Sequence, residues 1–270
     1  MLNETISIIE SLKTVRKFTN QKISEENMSL ILNSCVNAAS ASARQTYSII
    51  VIDDKAVMKE IGYIGDKMIV FCVDYNRAID TAVYLGYQYK HSFSVVEFMT
   101  GSADTILVAQ TAAIAAKSLG IDSFFSNCIH RGDISRLYSL LNLPEKYCFP
   151  LIALVLGYED KNNAKSSKKG RIKGPGIVHT SKYQRLKEED LKNIVSEYDN
   201  PEKYYLSLID GWREKGYSHY LDYFYAVWCG YPKDSEDNKQ KDKTNNPYSD
   251  VENILVKSGF LSENFIKKLE

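Results

Sequence analysis

The amino-acid sequence predicts a mixed fold of helices and short strands, α/β or α+β, and three observations carry the prediction. Segments with a helical apolar period are interleaved with about five short strand-like runs, and no internal repeat is present. Residues 103–119 are apolar on nearly every face, the pattern of a helix buried centrally or against a second subunit. Residues 150–156 form an unbroken apolar run closed by Gly157, which reads as a strand buried on both faces.

The elements follow in order. Residues 4–12 set Ile6, Ile9 and Lys13 on one stripe of a short helix, and the segment 14–20 holds Arg16 and Lys17 between Val15 and Phe18. Ser24 is a good N-cap, and Glu25 and Glu26 stand in the first turn, where the helix dipole favours anions. Behind them Met28, Ile31, Leu32, Cys35, Val36 and Ala39 recur at helical spacing. Residues 40–44 are small and polar, a loop; 47–52 are β-branched, a strand. A short helix over 56–61 and a buried strand over 68–73 come next, the strand ended by Asp74 and Asn76. Tyr75, Tyr84, Tyr87 and Tyr89 crowd a stretch with no assignable period. The long apolar helix ends at Gly120, in the usual C-terminal manner. Residues 121–125 read as a strand and 133–141 as a helix. Beyond the strand at 150–156, residues 160–176 form a basic, glycine-containing connection and 188–198 a polar helix. Residues 201–231 are aromatic-rich and read as helical. Residues 233–246 carry no hydrophobic side chain and read as a solvated linker. Ser249 and Glu252 make a capping-box pattern before a last helix ending at Gly259.

Composition excludes several classes. Hydrophobic residues at 44% and charged residues at 25% are those of a soluble globular chain. The 34 Lys and Arg balance the 34 Asp and Glu, which argues against a general binder of nucleic acid or anionic membrane. No apolar run approaches the ~20 residues that span a bilayer, and the N-terminal stretch carries charges inside its apolar part, unlike a signal peptide. The five cysteines (Cys35, Cys72, Cys128, Cys148, Cys229) are scattered without a C-x-x-C, and the histidines show no i, i+4 pair. That argues against a disulfide framework or a structural zinc site and for reduced thiols in a cytoplasmic protein. No metal site is expected.

Motifs narrow the chemistry. Gly170, Gly174 and Gly176 lack the lysine–hydroxyl ending of a P-loop. No G-x-G-x-x-G follows a strand, and no G-x-S-x-G suggests a hydrolase elbow. Two basic clusters remain, Lys13, Thr14 and Arg16 after the first helix, and Lys168, Lys169 and Arg171 after the apolar strand. A phosphate monoester needs fixed positive charge and donors, which the arginine fork supplies. Basic runs beside loops are also ordinary solvated surface, and spacing alone leaves both readings standing.

The stretch LKTVRKFTNQKISEENMSLILNSCVNAASASARQTYSIIVIDDKAVMKE resembles the N-terminal signature of the FMN-dependent nitroreductase family, in its flavin reductase and oxygen-insensitive NADPH nitroreductase branch. In that branch a basic–Ser–x–Arg turn comes first, and a serine loop ends in glutamine before a strand. MIVFCVDYNR resembles the branch's second strand with its Asp-x-Asn-Arg end. DTILVAQTAAIAAKSLGID is similar to its central helix, LNLPEKYCFPLIALVLGYED to its later strand, and KKGRI to the basic K-x-R that follows. The matches are ordered over about residues 10–185.

The resemblance implies an α+β fold: a central, mostly antiparallel sheet of about five strands flanked by helices, with the central helix at a dimer interface. It implies an FMN-binding domain over residues 1–185 and a C-terminal helical extension over 186–270. FMN would be held by a homodimer near the subunit interface, with Lys13, Thr14 and Arg16 on the phosphate from one side and Lys169 and Arg171 from the other. Ser40 and Ser42 match flavin-contacting serines. Gln45 matches the motif glutamine, or packs the loop onto the strand. The backbone around Asn127 and Cys128 corresponds to the loop near the flavin's hydride-carrying nitrogen. No catalytic side chain is required, because flavin carries the redox chemistry. NADH or NADPH would be a transient donor, and small planar acceptors (nitroaromatics, quinones or flavins) would take the electrons by a ping-pong mechanism.

Departures from the pattern stand beside these matches. Leu12 occupies the family's first basic position, Asn127-Cys128-Ile129 replaces a glycine pair, and the link 61–67 is short. They motivate a rival reading, a flavin-binding sensor or carrier without efficient turnover. Three further features have a bland and a functional side. Cys128 is a redox thiol or an inert one. His130 and Arg131 greet an anionic donor or form a surface loop. Trp212, Tyr217, Tyr220, Tyr223, Phe224, Tyr225 and Trp228 line an acceptor pocket or pack a core, and their helical spacing favours packing.

Overall fold

The β-branched and apolar runs pair with one another. In the computed structural model, which describes residues 3–88, 94–162, 171–172, 176–200, 211–231 and 250–262, four strands form one sheet. They are β1 (Tyr47–Ile52), β2 (Lys67–Asp74), β3 (Asp122–Ser126) and β4 (Cys148–Gly157), in the order β1-β2-β4-β3, and every pair is antiparallel. The inner strands β2 and β4 are the two with unbroken apolar runs, because both of their faces are covered. The period of two sorts β2 from Met68 to Cys72. Met68, Val70 and Cys72 enter one core with Phe124, Phe149 and Val155; Ile69 and Phe71 enter the other with Leu154 and Leu156. The register shifts between Phe71 and Cys72, opposite Pro150, and a bulge is where an inner strand tolerates a residue without an N–H.

Four strands stand among the described residues, against the about five that the sequence suggests. The N-terminal segment makes single bridges instead of a further strand. Thr14 lies parallel to Ser123, and Phe18 lies antiparallel to Glu159 just beyond β4.

Nine α-helices surround or follow the sheet among the described residues: α1 (Glu4–Ser11), α2 (Glu25–Val36), α3 (Lys55–Ile61), α4 (Asn76–Tyr84), α5 (Val95–Ser118), α6 (Ser135–Leu141), α7 (Glu188–Asp199), α8 (Tyr220–Tyr223) and α9 (Val251–Lys257). Ser24 caps α2 through the Asn27 N–H, as its sequence predicts. Of the tyrosine-rich stretch, Asn76–Tyr84 forms α4, where the Asp74 carboxylate accepts the Asn76 N–H at the helix start; Tyr89 lies outside the described residues. The long helix begins at Val95 rather than near 103, because Ser94 and Glu97 close a capping box ahead of it. It buries Asp104, Thr105, Val108, Ala109, Ala112, Ala113 and Ala116, and Gly101 lets it lie against Val73. On its other side Ile106 is 54% exposed, and Leu107, Met99 and Val96 are exposed as well. No described helix is long and apolar enough to cross a membrane.

Contacts divide the chain into two units, Met1–Ser166 with Asn246–Glu270, and Ser167–Asn245. This division differs from a boundary at 185/186. The C-terminal segment belongs to the first unit because Ile254, Leu255 and Phe260 are buried in the sheet's first core. Helix α9 starts after Asp250, whose carboxylate accepts the Ile134 N–H instead of capping its own helix; Ser249 lies outside the described residues. The second unit gathers Trp212, Tyr220 and Tyr223 with Tyr198, Tyr217 and Phe224, so these aromatics pack on one another. Its segment 211–231 is turned rather than continuously helical. Gly211 and Gly216 adopt left-handed φ of 81°, and only α8 and a π-turn at Phe224–Trp228 follow. Residues 201–210 and the linker 233–246 lie outside the described residues.

Candidate functional site

The first basic cluster is displayed by an extended segment. The Val15 N–H donates to the Ser123 carbonyl at 3.1 Å, and the Thr19 N–H to Tyr158 at 2.8 Å. Val15 is fully buried, so its neighbours Thr14 and Arg16 both face outward. The Arg16 guanidinium lies 5.5 Å from the centroid of the Phe124 ring, and among the described residues no carboxylate pairs with it. Lys13 differs. Its ammonium bonds both oxygens of Glu159, at 2.6 and 2.7 Å, and Glu159 is only 9% exposed. Leu12 is half-buried.

The serine loop is the second element. Residues Ala41–Ala43 make one 3-10 turn, and three residues without glycine's freedom sit in left-handed backbone: Ser42 (φ 54°), Ala43 (53°) and Gln45 (52°). Each costs roughly 1–2 kcal/mol. Asp104 of α5, 2% exposed, meets the loop from inside. Its carboxylate accepts from Ser40 Oγ (2.7 Å), the Ala41 N–H (2.8 Å), Thr46 Oγ1 (2.9 Å) and the Thr46 N–H (3.4 Å). Burial pushes the Asp104 carboxyl up, but the bonds from Ala41, Ser40 and Thr46 outweigh it and hold the pKa below the ordinary carboxylate range. Bonds to a charged group contribute roughly 1.5–3 kcal/mol each, a scale that matches the backbone strain. The Ser40 hydroxyl also accepts the Gln45 N–H at 2.7 Å, so it is engaged within the loop, whereas Ser42 is exposed. The Gln45 amide donates to Tyr47 Oη (3.2 Å) and the Val36 carbonyl (3.4 Å). From outside, Nη2 of Arg77 on α4 donates to the Arg44 and Gln45 carbonyls, at 2.8 and 2.7 Å.

Asn127 is exposed directly past β3, and a short turn, Cys128–His130, follows it. The His130 ring donates from Nε2 to the Pro150 carbonyl at 2.7 Å and lies against Phe149. Burial pushes its pKa below the ordinary imidazole value. His130 is therefore tied into the sheet and does not face an incoming anion. Arg171 belongs to the second unit; Lys168 and Lys169 lie outside the described residues. Among the described residues no group of His, Cys, Asp or Glu gathers to hold a metal.

The donor set of the N-terminal segment fits the phosphate of FMN. A guanidinium with no carboxylate partner among the described residues, an exposed hydroxyl at Thr14 and the partly shared Lys13 ammonium stand within four residues on one extended stretch, and a phosphate group takes that combination of charge and fixed donors. Sequence reasoning missed Asp104, Arg77 and Glu159. The signal for Asp104 was there, a single carboxylate inside an otherwise apolar helix, which must find partners when buried.

Residues 9–69 match the model of the nitroreductase family. An NADPH-dependent oxidoreductase of Staphylococcus epidermidis is 28% identical over 233 residues, 83% of this chain and 92% of that protein. The structure is similar to that of NfrA2 from B. megaterium, with 25% identity, coverage of 96% of this chain and 99% of that one, and a TM-score of 0.76. It is also similar to NADPH:FMN oxidoreductase from Vibrio harveyi complexed with NAD+, with 21% identity, coverage of 97% and 100%, and a TM-score of 0.73. At that identity the second likeness speaks to the fold.

Proposed function

We propose that this chain, similar to the nitroreductase family over residues 9–69 and to NADPH-dependent oxidoreductases along most of its length, is an NAD(P)H-dependent oxidoreductase that works as a homodimer on FMN. The substrates are NADH or NADPH as donor and small planar acceptors, nitroaromatics, quinones or flavins, in ping-pong order. Bound FMN would supply the two-electron chemistry. The chain's own residues bind and orient. Arg16, Thr14 and Lys13 hold the phosphate, residues 40–45 present Ser42 and their backbone to the flavin, and the backbone around Asn127 and Cys128 lies near the hydride-carrying nitrogen. Neither an acid nor a nucleophile is called for. One observation carries the reading: Arg16 is held outward by a buried neighbour and has no carboxylate partner among the described residues, at the position where the family's motif places a phosphate-binding arginine.

The dimer rests on an apolar face. Ile106 and Leu107 on α5, with Ile6 and Ile9 on α1, are exposed, and the two helices touch. Exposed apolar side chains on two touching helices suit an interaction surface, here for a second copy. Ile106→Glu is expected to give a monomer by light scattering.

The test of the function is spectroscopic. The purified protein, supplied with FMN, is expected to take up a flavin band that bleaches at catalytic rates when NADH or NADPH is added without oxygen. A band that neither donor bleaches would return the sensor or carrier reading. A protein that never takes up the band would sink the proposal.

A further inference from the structure

We infer that Asp104 and Arg77 are positioning residues for flavin binding, which together hold residues 40–46 in a backbone conformation those residues disfavour, so that the surface offered to the cofactor is set before the cofactor arrives. The inference rests on the flavin reading above.

The geometry leads to it. Three of the four residues Ser42, Ala43, Arg44 and Gln45 have positive φ, and none is glycine. Such backbone persists only where its surroundings over-determine it. Here the surroundings are two side chains from different helices acting on opposite kinds of group. Asp104 collects the loop's donors, two N–H groups and two hydroxyls. Arg77 supplies a donor to two of its carbonyls. Neither is demanded by the sheet at the strained positions: the Thr46 carbonyl accepts the Asp74 N–H and β1 pairs from Tyr47 with Val73, past Ser42, Ala43 and Gln45. A buried carboxylate is an expensive way to support an ordinary turn, and glycine at position 42 or 43 would have relieved the strain at once. The chain keeps the strained residues and the clamp. Asp104 is itself placed by the close seat of α5 on β2 at Gly101, one turn earlier, and Arg77 by the start of α4, where the Asp74 carboxylate accepts the Asn76 N–H.

The clamp makes a quantitative link. When only a fraction of apo molecules has the competent loop, the apparent Kd for FMN rises by the inverse of that fraction. Releasing the loop raises amide exchange with the open fraction and raises the Kd for FMN with the inverse of the competent fraction, so both change strongly in a variant that leaves most molecules open.

Two variants test this. Asp104→Asn keeps the size but turns an amide toward N–H donors that need an acceptor. Arg77→Ala alters an exposed residue, so folding is preserved, and Arg77→Lys restores a cation able to reach both carbonyls. Hydrogen exchange of the Ala41 and Thr46 amides is measured on each protein without FMN, and FMN affinity by quenching of flavin fluorescence. The expected result is exchange about ten-fold faster, FMN bound about ten-fold more weakly in both disruptive variants, and Arg77→Lys close to wild type. Wild-type protein that binds FMN beside an Arg77→Ala protein with unchanged affinity or unchanged exchange overturns the clamp and leaves the flavin reading intact. Wild-type protein that binds no FMN overturns the flavin reading, and the clamp's purpose with it.

Discussion

Replacing Arg16 with alanine separates phosphate recognition from folding. The fold loses little, because the buried anchor of the segment is Val15 and its backbone bond to Ser123 survives. What goes is the contact of the guanidinium with Phe124, about 0.5–1 kcal/mol for an exposed cation on a ring. In a chain of this size that lowers the melting temperature by about 1–4 °C. FMN loses more. One charge-assisted hydrogen bond is worth roughly 1.5–3 kcal/mol, and each ~1.4 kcal/mol is a factor of ten, so Kd rises by about ten- to 150-fold. Riboflavin, which has the ring and no phosphate, is the internal control. Titrations by quenching of flavin fluorescence, with both ligands on both proteins, should show FMN weakened and riboflavin unchanged. Equal FMN affinity in wild type and variant, or an equal loss for FMN and riboflavin, refutes the placement of the phosphate at Arg16. Arg171→Ala is expected to weaken FMN by about ten-fold or more in the same comparison.

Other perturbations have signed outcomes. Glu159 holds the Lys13 ammonium at 2.6 Å; Glu159→Gln removes the negative charge beside that cation and should tighten FMN by about two- to five-fold in low salt, on the scale of exposed ion pairs. Gly101→Ala would place a Cβ 2.6 Å from Val73 Cγ1 and 3.1 Å from Tyr75 Cε2; overpacking of this kind costs about 1–3 kcal/mol, read as a fall in thermal midpoint, and an unchanged midpoint would deny the close seat of α5. Asp66 behaves like Asp104. Burial raises its pKa, but the Ile23 N–H and Lys22 outweigh it and leave it below the ordinary value of 3.8. Carboxyls depressed in the folded state contribute fully above about pH 5 and lose that contribution as pH falls through the folded pKa. Acid unfolding should therefore be steep below pH ~4, and shallower in Asp104→Asn.

The strands were legible because β-branched, unbroken apolar runs state both their conformation and the burial of their two faces. The sequence-derived strands at 47–52 and 68–73 differ from β1 and β2 by a residue or less at each end. The start of α5 was missed although Ser94 and Glu97 spell a capping box; the tyrosines upstream masked the change of period. The loop at 40–44 was recognisable from its small polar residues, but not its left-handed backbone, because none of its positions is glycine. That conformation is imposed by Asp104 and Arg77, which lie 58 and 32 residues from the loop atoms they hold. Arg16 was readable as a motif residue. That Lys13 shares its charge with Glu159, 146 residues away, was not.

Short-range physics is written in the chain: caps, periods of two and 3.6, turn residues and the identity of a basic motif depend on neighbours a few positions apart. By that means the sequence alone determined helix α2, strands β1 and β2, the mixed α+β character and the resemblance to a family signature. The strand order β1-β2-β4-β3, the return of α9 to the first core, the neutralisation of Lys13 and the clamp on the serine loop were decided only by tertiary structure. Each depends on groups brought together across long separations, where burial selects the partner and local sequence carries no record of it.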